Sequence, residues 1–186
     1  MSTERTVETK YIYQGKLVAL RVDTVELASG RHAKREIVEH DACCAIVAID
    51  DEENVLFVSQ YRKPVEKVLL EIPAGGIEEN EEPLECARRE LAEETGFSAR
   101  RWEKLGSFYT SPGFCTEEMH VYIARELSPA KRACDIDEDI KIVCIPLVNI
   151  PDLIAGDGVS DAKSIAGLMM ALLLIGKDWE VTGNKK

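Results

Sequence analysis

Four segments in the first third of the chain are strand-like in their pattern of apolar and polar residues: 16–27, 34–40, 43–49 and 54–60. The acidic run Asp50-Asp51-Glu52-Glu53-Asn54 separates the last two and predicts a hairpin turn. The apolar run Val68-Leu69-Leu70-Glu71-Ile72 leads into a turn at Gly75 and Gly76. The period then changes. Leu84, Ala87 and Leu91 recur at helical spacing, Pro83 suits a first helical turn, and Gly96 suits the left-handed residue that ends a helix. Beyond it, 102–109, 119–126 and 140–145 again read as strands, 149–154 as a short helix and 161–175 as a longer one. The longer helix is apolar on nearly every side after Ser164, which predicts burial or an interface. Strands mixed with two substantial helices are most simply layered as helices on both faces of a mixed sheet, an α/β fold.

The helix after Gly76 has a second face. Glu90, Glu93 and Glu94 stand at i, i+3 and i+4, which places three carboxylates side by side on one surface. Like charges at this spacing repel by a few tenths of a kcal/mol per pair, so the face serves no folding purpose. A hard divalent cation, which prefers oxygen ligands, gives it one. The plainer reading is a solvated acidic helix face.

Composition narrows the function classes. The chain has 186 residues, 45% hydrophobic and 31% charged, as expected of a single globular domain with a real core. A net charge of −11 argues against nucleic-acid binding, while a bound cation would still permit a phosphorylated substrate. The first fifteen residues lack an apolar stretch, so no secretory leader is expected, and 165–175 is too short to span a bilayer. Six cysteines, none in a C-x-x-C pair, read mostly as small buried hydrophobes of a reducing cytoplasm rather than zinc ligands. No repeat, linker or low-complexity tract is evident.

The segment from Gly75 to Phe97 is similar to the Nudix box, G-x5-E-x7-R-E-U-x-E-E-x-G-U with U apolar. Gly75, Glu81, Arg89, Glu90, Leu91, Glu93, Glu94, Gly96 and Phe97 fill its nine defined positions. The resemblance implies a Nudix-type α/β/α sandwich with a mixed central sheet and an N-terminal antiparallel strand extension. It also implies Mg²⁺, with Mn²⁺ as a substitute, held by Glu90, Glu94, Glu93 and the backbone carbonyl of Ala74. Arg89 and Glu81 are implied structural partners at the catalytic helix. From the residues alone, Arg89 pairing with Glu85 one turn earlier is an equally good reading.

Downstream, Thr110-Ser111-Pro112-Gly113-Phe114 places Pro112 15 residues after Phe97, which resembles the ADP-ribose pyrophosphatase branch. By itself Pro-Gly is an ordinary turn pair. In that branch the arginine of Ser59-Gln60-Tyr61-Arg62 contacts substrate phosphate. The resemblance extends to Arg35, Pro112, Gly113 and Glu118 as substrate-side residues, and to Tyr11 and Tyr13 as stacking partners for adenine or plain strand aromatics. The general base is expected from the acidic loop 135–140, with Glu138 as the best match; Glu93 and Glu118 compete, and His40 and His120 qualify by residue type.

The expectation is therefore a Mg²⁺-dependent hydrolase that splits ADP-ribose into AMP and ribose 5-phosphate. It is expected to be a cytoplasmic homodimer, with no nucleic-acid or membrane partner. Its regions are 1–40 as the dimerising strand region, 41–180 as the Nudix hydrolase domain and 181–186 as a tail. Two alternatives stand beside it: hydrolysis of another nucleoside diphosphate derivative such as GDP-mannose, and a sensor that binds ADP-ribose without cutting it.

Overall fold

The computed structural model describes residues 3–130 and 140–183. The chain divides into two compact units, one of residues 1–42 with 108–118, the other of 43–107 with 119–186.

The first unit is built on three antiparallel strands, β1 (Arg5–Gln14), β2 (Ala19–Glu26) and β3 (His32–Glu39), in the order β1-β2-β3. Every residue of β1 is exposed, including Val7, Tyr11, Ile12 and Tyr13. Such a strand has no buried face to impose a two-residue hydrophobic period, which is why the sequence pattern does not outline it. The segment 111–117 joins this unit by bonds to β3: Val38 N–H donates to the Phe114 carbonyl at 2.7 Å, and Thr116 N–H to that of Val38 at 3.0 Å.

The second unit holds a seven-stranded mixed sheet. Its strands are β4 (Cys43–Ile49), β5 (Asn54–Arg62), β6 (Lys67–Glu71), β7 (Ala74–Gly76), β8 (Phe97–Tyr109), β9 (Glu118–Pro129) and β10 (Lys141–Pro146), the ends of β8 and β9 lying across the division between units. The order is β10-β5-β4-β9-β8, with β6 beside β5 and β7 beside β4. The β4–β9 pair is parallel, while β10–β5, β4–β5, β5–β6 and β4–β7 are antiparallel.

Helix α1 (Pro83–Thr95) begins with proline in its first turn and ends at Gly96, whose φ of 71° lets its N–H reach back to the Ala92 carbonyl at 2.9 Å. A short helix α2 (Ile150–Ala155) precedes α3 (Ala162–Gly183). The pleat of β4 sends alternate residues to opposite faces. Cys44, Ile46 and Ala48 pack with Cys86, Ala87 and Leu91 of α1. On the other face a Cβ added to Gly167 of α3 would meet Ile72, Val121 and Val47. The two helices thus cover opposite faces of the sheet, as the layering argument expects. The α3 helix runs past the predicted stop near Ile175 because one glycine, Gly176, costs only about 1 kcal/mol in a helix.

Candidate active site

The acidic face of α1 is organised by one guanidinium. Arg89 donates through Nε and Nη2 to the two oxygens of Glu81, both at 2.9 Å. Its Nη1 reaches Glu90 at 2.6 Å and Glu93 at 3.1 Å, and Nη2 also bonds the Gly76 carbonyl at 3.0 Å. Glu85 takes the neighbouring Arg88 instead, at 2.6 Å. The Arg89 hydrogen bonds, helped by the Glu78 backbone N–H and against some burial, hold the Glu81 carboxyl down to about 2. Hydrogen bonding to Glu81 and Glu90 likewise raises the Arg89 pKa far above its ordinary value.

Glu94 is 6% exposed and accepts the Ala74 N–H at 2.9 Å. Glu90 lies over Gly75, where an added Cβ would sit only 2.0 Å from its carboxyl carbon. The glycine is required here by close approach rather than by backbone conformation. Cys86 braces the same loop, its thiol donating to the Gly76 carbonyl at 3.3 Å. The loop before α1 and the face of α1 thus bring Ala74, Gly75, Glu81, Arg89, Glu90, Glu93 and Glu94 together.

A hard divalent cation fits this donor set. The carboxylates are oxygen donors gathered on one helix face, and Gly75, having no side chain, leaves room for the Glu90 carboxyl to lie over the loop.

Arg62 ends β5 and is fixed in a second cluster. It donates through Nε and Nη2 to both oxygens of Glu71, at 2.8 and 2.9 Å. Glu71 is 2% exposed and also accepts from Lys163, which in turn reaches Asp161 at 2.8 Å. Burial pushes the Glu71 carboxyl up, but the Arg62 hydrogen bonds and the Lys163 charge outweigh it, so its pKa is lowered. Arg62 is raised, mainly by Glu71 and with a contribution from the Glu94 charge, so Arg62 feels the acidic face of α1. Sequence reasoning passed over Glu71 and Lys163. The available signal was a lone carboxylate in the apolar run Val68–Ile72, which needs a partner once buried.

Of the remaining residues singled out from sequence, Tyr11, Tyr13, Arg35, His40, Pro112, Gly113 and Glu118 belong to the first unit and His120 to the second. Tyr11 of β1 donates its hydroxyl to Glu39 at 3.4 Å, and that bond raises its pKa. Tyr13 pairs with Leu20 across β1–β2. Arg35 of β3 is held by Glu4 at 2.5 and 2.9 Å. Pro112 and Gly113 occupy the turn closed by Phe114 N–H to the Ser111 carbonyl at 3.1 Å, and Glu118 opens β9. His40 donates its backbone N–H to the Thr116 hydroxyl at 3.0 Å, and His120 pairs with Cys44 within the sheet. Glu138 lies outside the described residues.

Comparison with known proteins finds two family matches along the chain. The NUDIX domain family matches residues 39–166, and the nucleoside diphosphate sugar hydrolase N-terminal domain family matches residues 4–38. The ADP-ribose pyrophosphatase of Bacillus subtilis (strain 168) is 44% identical over 163 residues, 87% of this chain and 88% of its own length. The methanol dehydrogenase activator of Bacillus methanolicus is 43% identical over 164 residues, 87% and 89% of the two chains. A crystal structure described as an ADP compounds hydrolase superposes with a TM-score of 0.87 at 22% identity, over 95% of this chain and 96% of that one. At that identity the likeness establishes the fold.

Proposed function

The chain belongs to the Nudix family, and from that premise we propose that it hydrolyses the diphosphate bond of ADP-ribose, giving AMP and ribose 5-phosphate with a divalent cation, Mg²⁺ by preference. The observation that carries this reading is the row of carboxylates on α1, with Glu90 laid over Gly75 so closely that any other residue there would displace it. The substrate choice is supported by the 44% identical relative that bears the name ADP-ribose pyrophosphatase.

Glu90 and Glu94, with Glu93 and the Ala74 carbonyl, would hold the cation. When bound, it supplies neutralisation of the diphosphate and a lowered pKa for water. Around it, Arg89 orients Glu90 and Glu93 through its bonds to Glu81 and Gly76. Arg62 offers a fixed guanidinium suited to a phosphate oxygen. Glu138 is assigned the role of general base. Arg35, Pro112, Gly113, Glu118, Tyr11 and Tyr13 are assigned to substrate recognition from the family resemblance. The same reading makes the protein a cytoplasmic homodimer whose N-terminal strands exchange, which suits the exposed Val7, Ile12 and Tyr13 of β1.

Purified protein with magnesium, given ADP-ribose and GDP-mannose in parallel, tests the reading. AMP and ribose 5-phosphate should appear faster than any product of GDP-mannose. Intact ADP-ribose, or a clear preference for GDP-mannose, overturns the substrate assignment. Glu138→Gln should lower kcat by about 10²–10⁴-fold, the usual worth of a general base, and a loss under about threefold would assign the proton transfer to another residue.

A further inference from the structure

Arg62 and Glu71 are not neighbours in the β5–β6 ladder. Val58 pairs with Glu71 and Arg62 with Lys67, so the Arg62 side chain runs back along the strands, past the Gln60–Leu69 pair, to reach the carboxylate. It grips with the Nε–Nη2 edge, and its side chain remains 40% exposed while Glu71 is buried. Lys163 arrives at the same carboxylate from the first turn of α3. That turn is itself anchored. Asp161 accepts the Ser164 N–H at 3.1 Å, and the Ser164 hydroxyl accepts the buried Ile72 N–H at 2.9 Å.

We propose that Glu71 and Lys163 are positioning residues for Arg62, holding its guanidinium by one edge so that the opposite edge is presented, already oriented, to the substrate diphosphate. This rests on the reading of Arg62 as a phosphate contact. The physical argument has two parts. A long arginine laid along a sheet surface is disordered unless something fixes it, and a fork-to-fork pair with an immobile carboxylate fixes both position and plane. A buried carboxylate held by Arg62 alone would also lose its partner whenever the guanidinium shifted toward an anion. Lys163, which also reaches Asp161, gives Glu71 a second cation, so the carboxylate stays paired and in place while the free edge of Arg62 meets a phosphate.

The test is a double-mutant cycle on the full chain. KM and kcat for ADP-ribose with magnesium, and the Kd for inorganic pyrophosphate, are measured in wild type, Lys163→Met, Lys163→Arg, Glu71→Gln, Arg62→Ala and the Arg62→Ala/Lys163→Met double variant. Lys163→Met and Glu71→Gln should each raise KM and the pyrophosphate Kd about tenfold with kcat within about threefold, and Lys163→Arg should stay near wild type. In the Arg62→Ala background, adding Lys163→Met should cost less than about twofold more. An unchanged KM and Kd in the single variants, or full multiplication of effects in the double variant, overturns the proposal. Should Lys163→Met fail to fold, Glu71→Gln and Lys163→Arg decide it on the same readouts. Should wild type leave ADP-ribose intact, the substrate reading fails alone, because the coupling is still read in pyrophosphate affinity.

Discussion

On α1 one guanidinium, that of Arg89, serves three carboxylates, Glu81, Glu90 and Glu93. At the start of α3 two cations, Arg62 and Lys163, share the single buried carboxylate of Glu71, with Asp161 as the fourth charge. Both clusters belong to one folding unit and flank the same short stretch, Ile72 to Gly76, yet their proportions are opposite. An acid-rich cluster is arranged to receive positive charge. A cluster with its cations and carboxylates matched is arranged to stay as it is. The difference teaches that charge density alone does not tell the two clusters apart; the ratio of cations to carboxylates, and the close approach that Gly75 allows Glu90, do.

The strongest way to break this contrast is Glu94→Gln. With the acid-rich face as the cation site, the substitution should lower kcat by about 10³-fold, beyond the tenfold to hundredfold typical of residues that only orient ligands. Manganese binding by calorimetry should weaken in parallel, a readout independent of turnover. Without metal the variant should be about as heat-stable as wild type, and the rise in Tm that magnesium gives wild type should shrink. Lys163→Met should behave oppositely, losing Tm with or without metal, because it removes a cation from a buried carboxylate. Full activity in Glu94→Gln would remove the acidic face from the chemistry.

A smaller effect is expected from Gly75→Ala. The new methyl group would occupy the position 2.0 Å from the Glu90 carboxyl carbon, so Glu90 must move while the backbone need not. The expected loss is about 10- to 100-fold in kcat, with manganese affinity falling as well and the fold retained by circular dichroism. Wild-type kinetics would mean that Glu90 can shift without consequence, and the acid-rich cluster would then lack the fixed geometry assigned to it.

The two clusters also differ in how visibly the sequence encodes them. The α1 cluster lies within one loop and one helix, so the helical period itself places Glu90, Glu93 and Glu94 together, and the spacing of Gly75 and Arg89 comes with it. The Glu71–Lys163 contact joins residues 92 apart, and no local period relates them. A lone Glu in an apolar run announces that a partner exists without saying which. The same limit applies to β1: with both faces exposed, it carries no alternation to set its ends. Strands β4 and β5 were legible as short apolar runs that burial on both faces requires, and helix α1 because its single buried face imposes a helical period. The pairing of Arg89 was open, since Glu85 and Glu81 are both in reach by sequence. The structure gives Glu85 to Arg88, because Glu81, bound also to the Glu78 N–H, sits beside the loop where Arg89 meets the Gly76 carbonyl.

The least disruptive probe is Glu81→Gln, and its signature is a dependence on pH rather than a size. The Glu81 carboxyl titrates near 2 in the folded chain against an ordinary value of 4.5. Above about 4.5 the carboxylate is ionised in both folded and unfolded states, so its pairing with Arg89 contributes fully to stability. As pH falls through this window the unfolded chain takes up the proton first, and the contribution declines until it is gone near 2. The pair is partly solvated, so the substitution should lower Tm at pH 7 by only a few degrees. Urea unfolding of wild type and variant between pH 7 and pH 3 should give curves separated by a constant gap above about pH 5 that narrows on acidification. A gap that stays constant down to pH 3 would mean that Arg89 does not hold Glu81 ionised. The guanidinium would then be bound chiefly by Glu90 and Glu93, and the acid-rich cluster would be better neutralised than its proportions suggest.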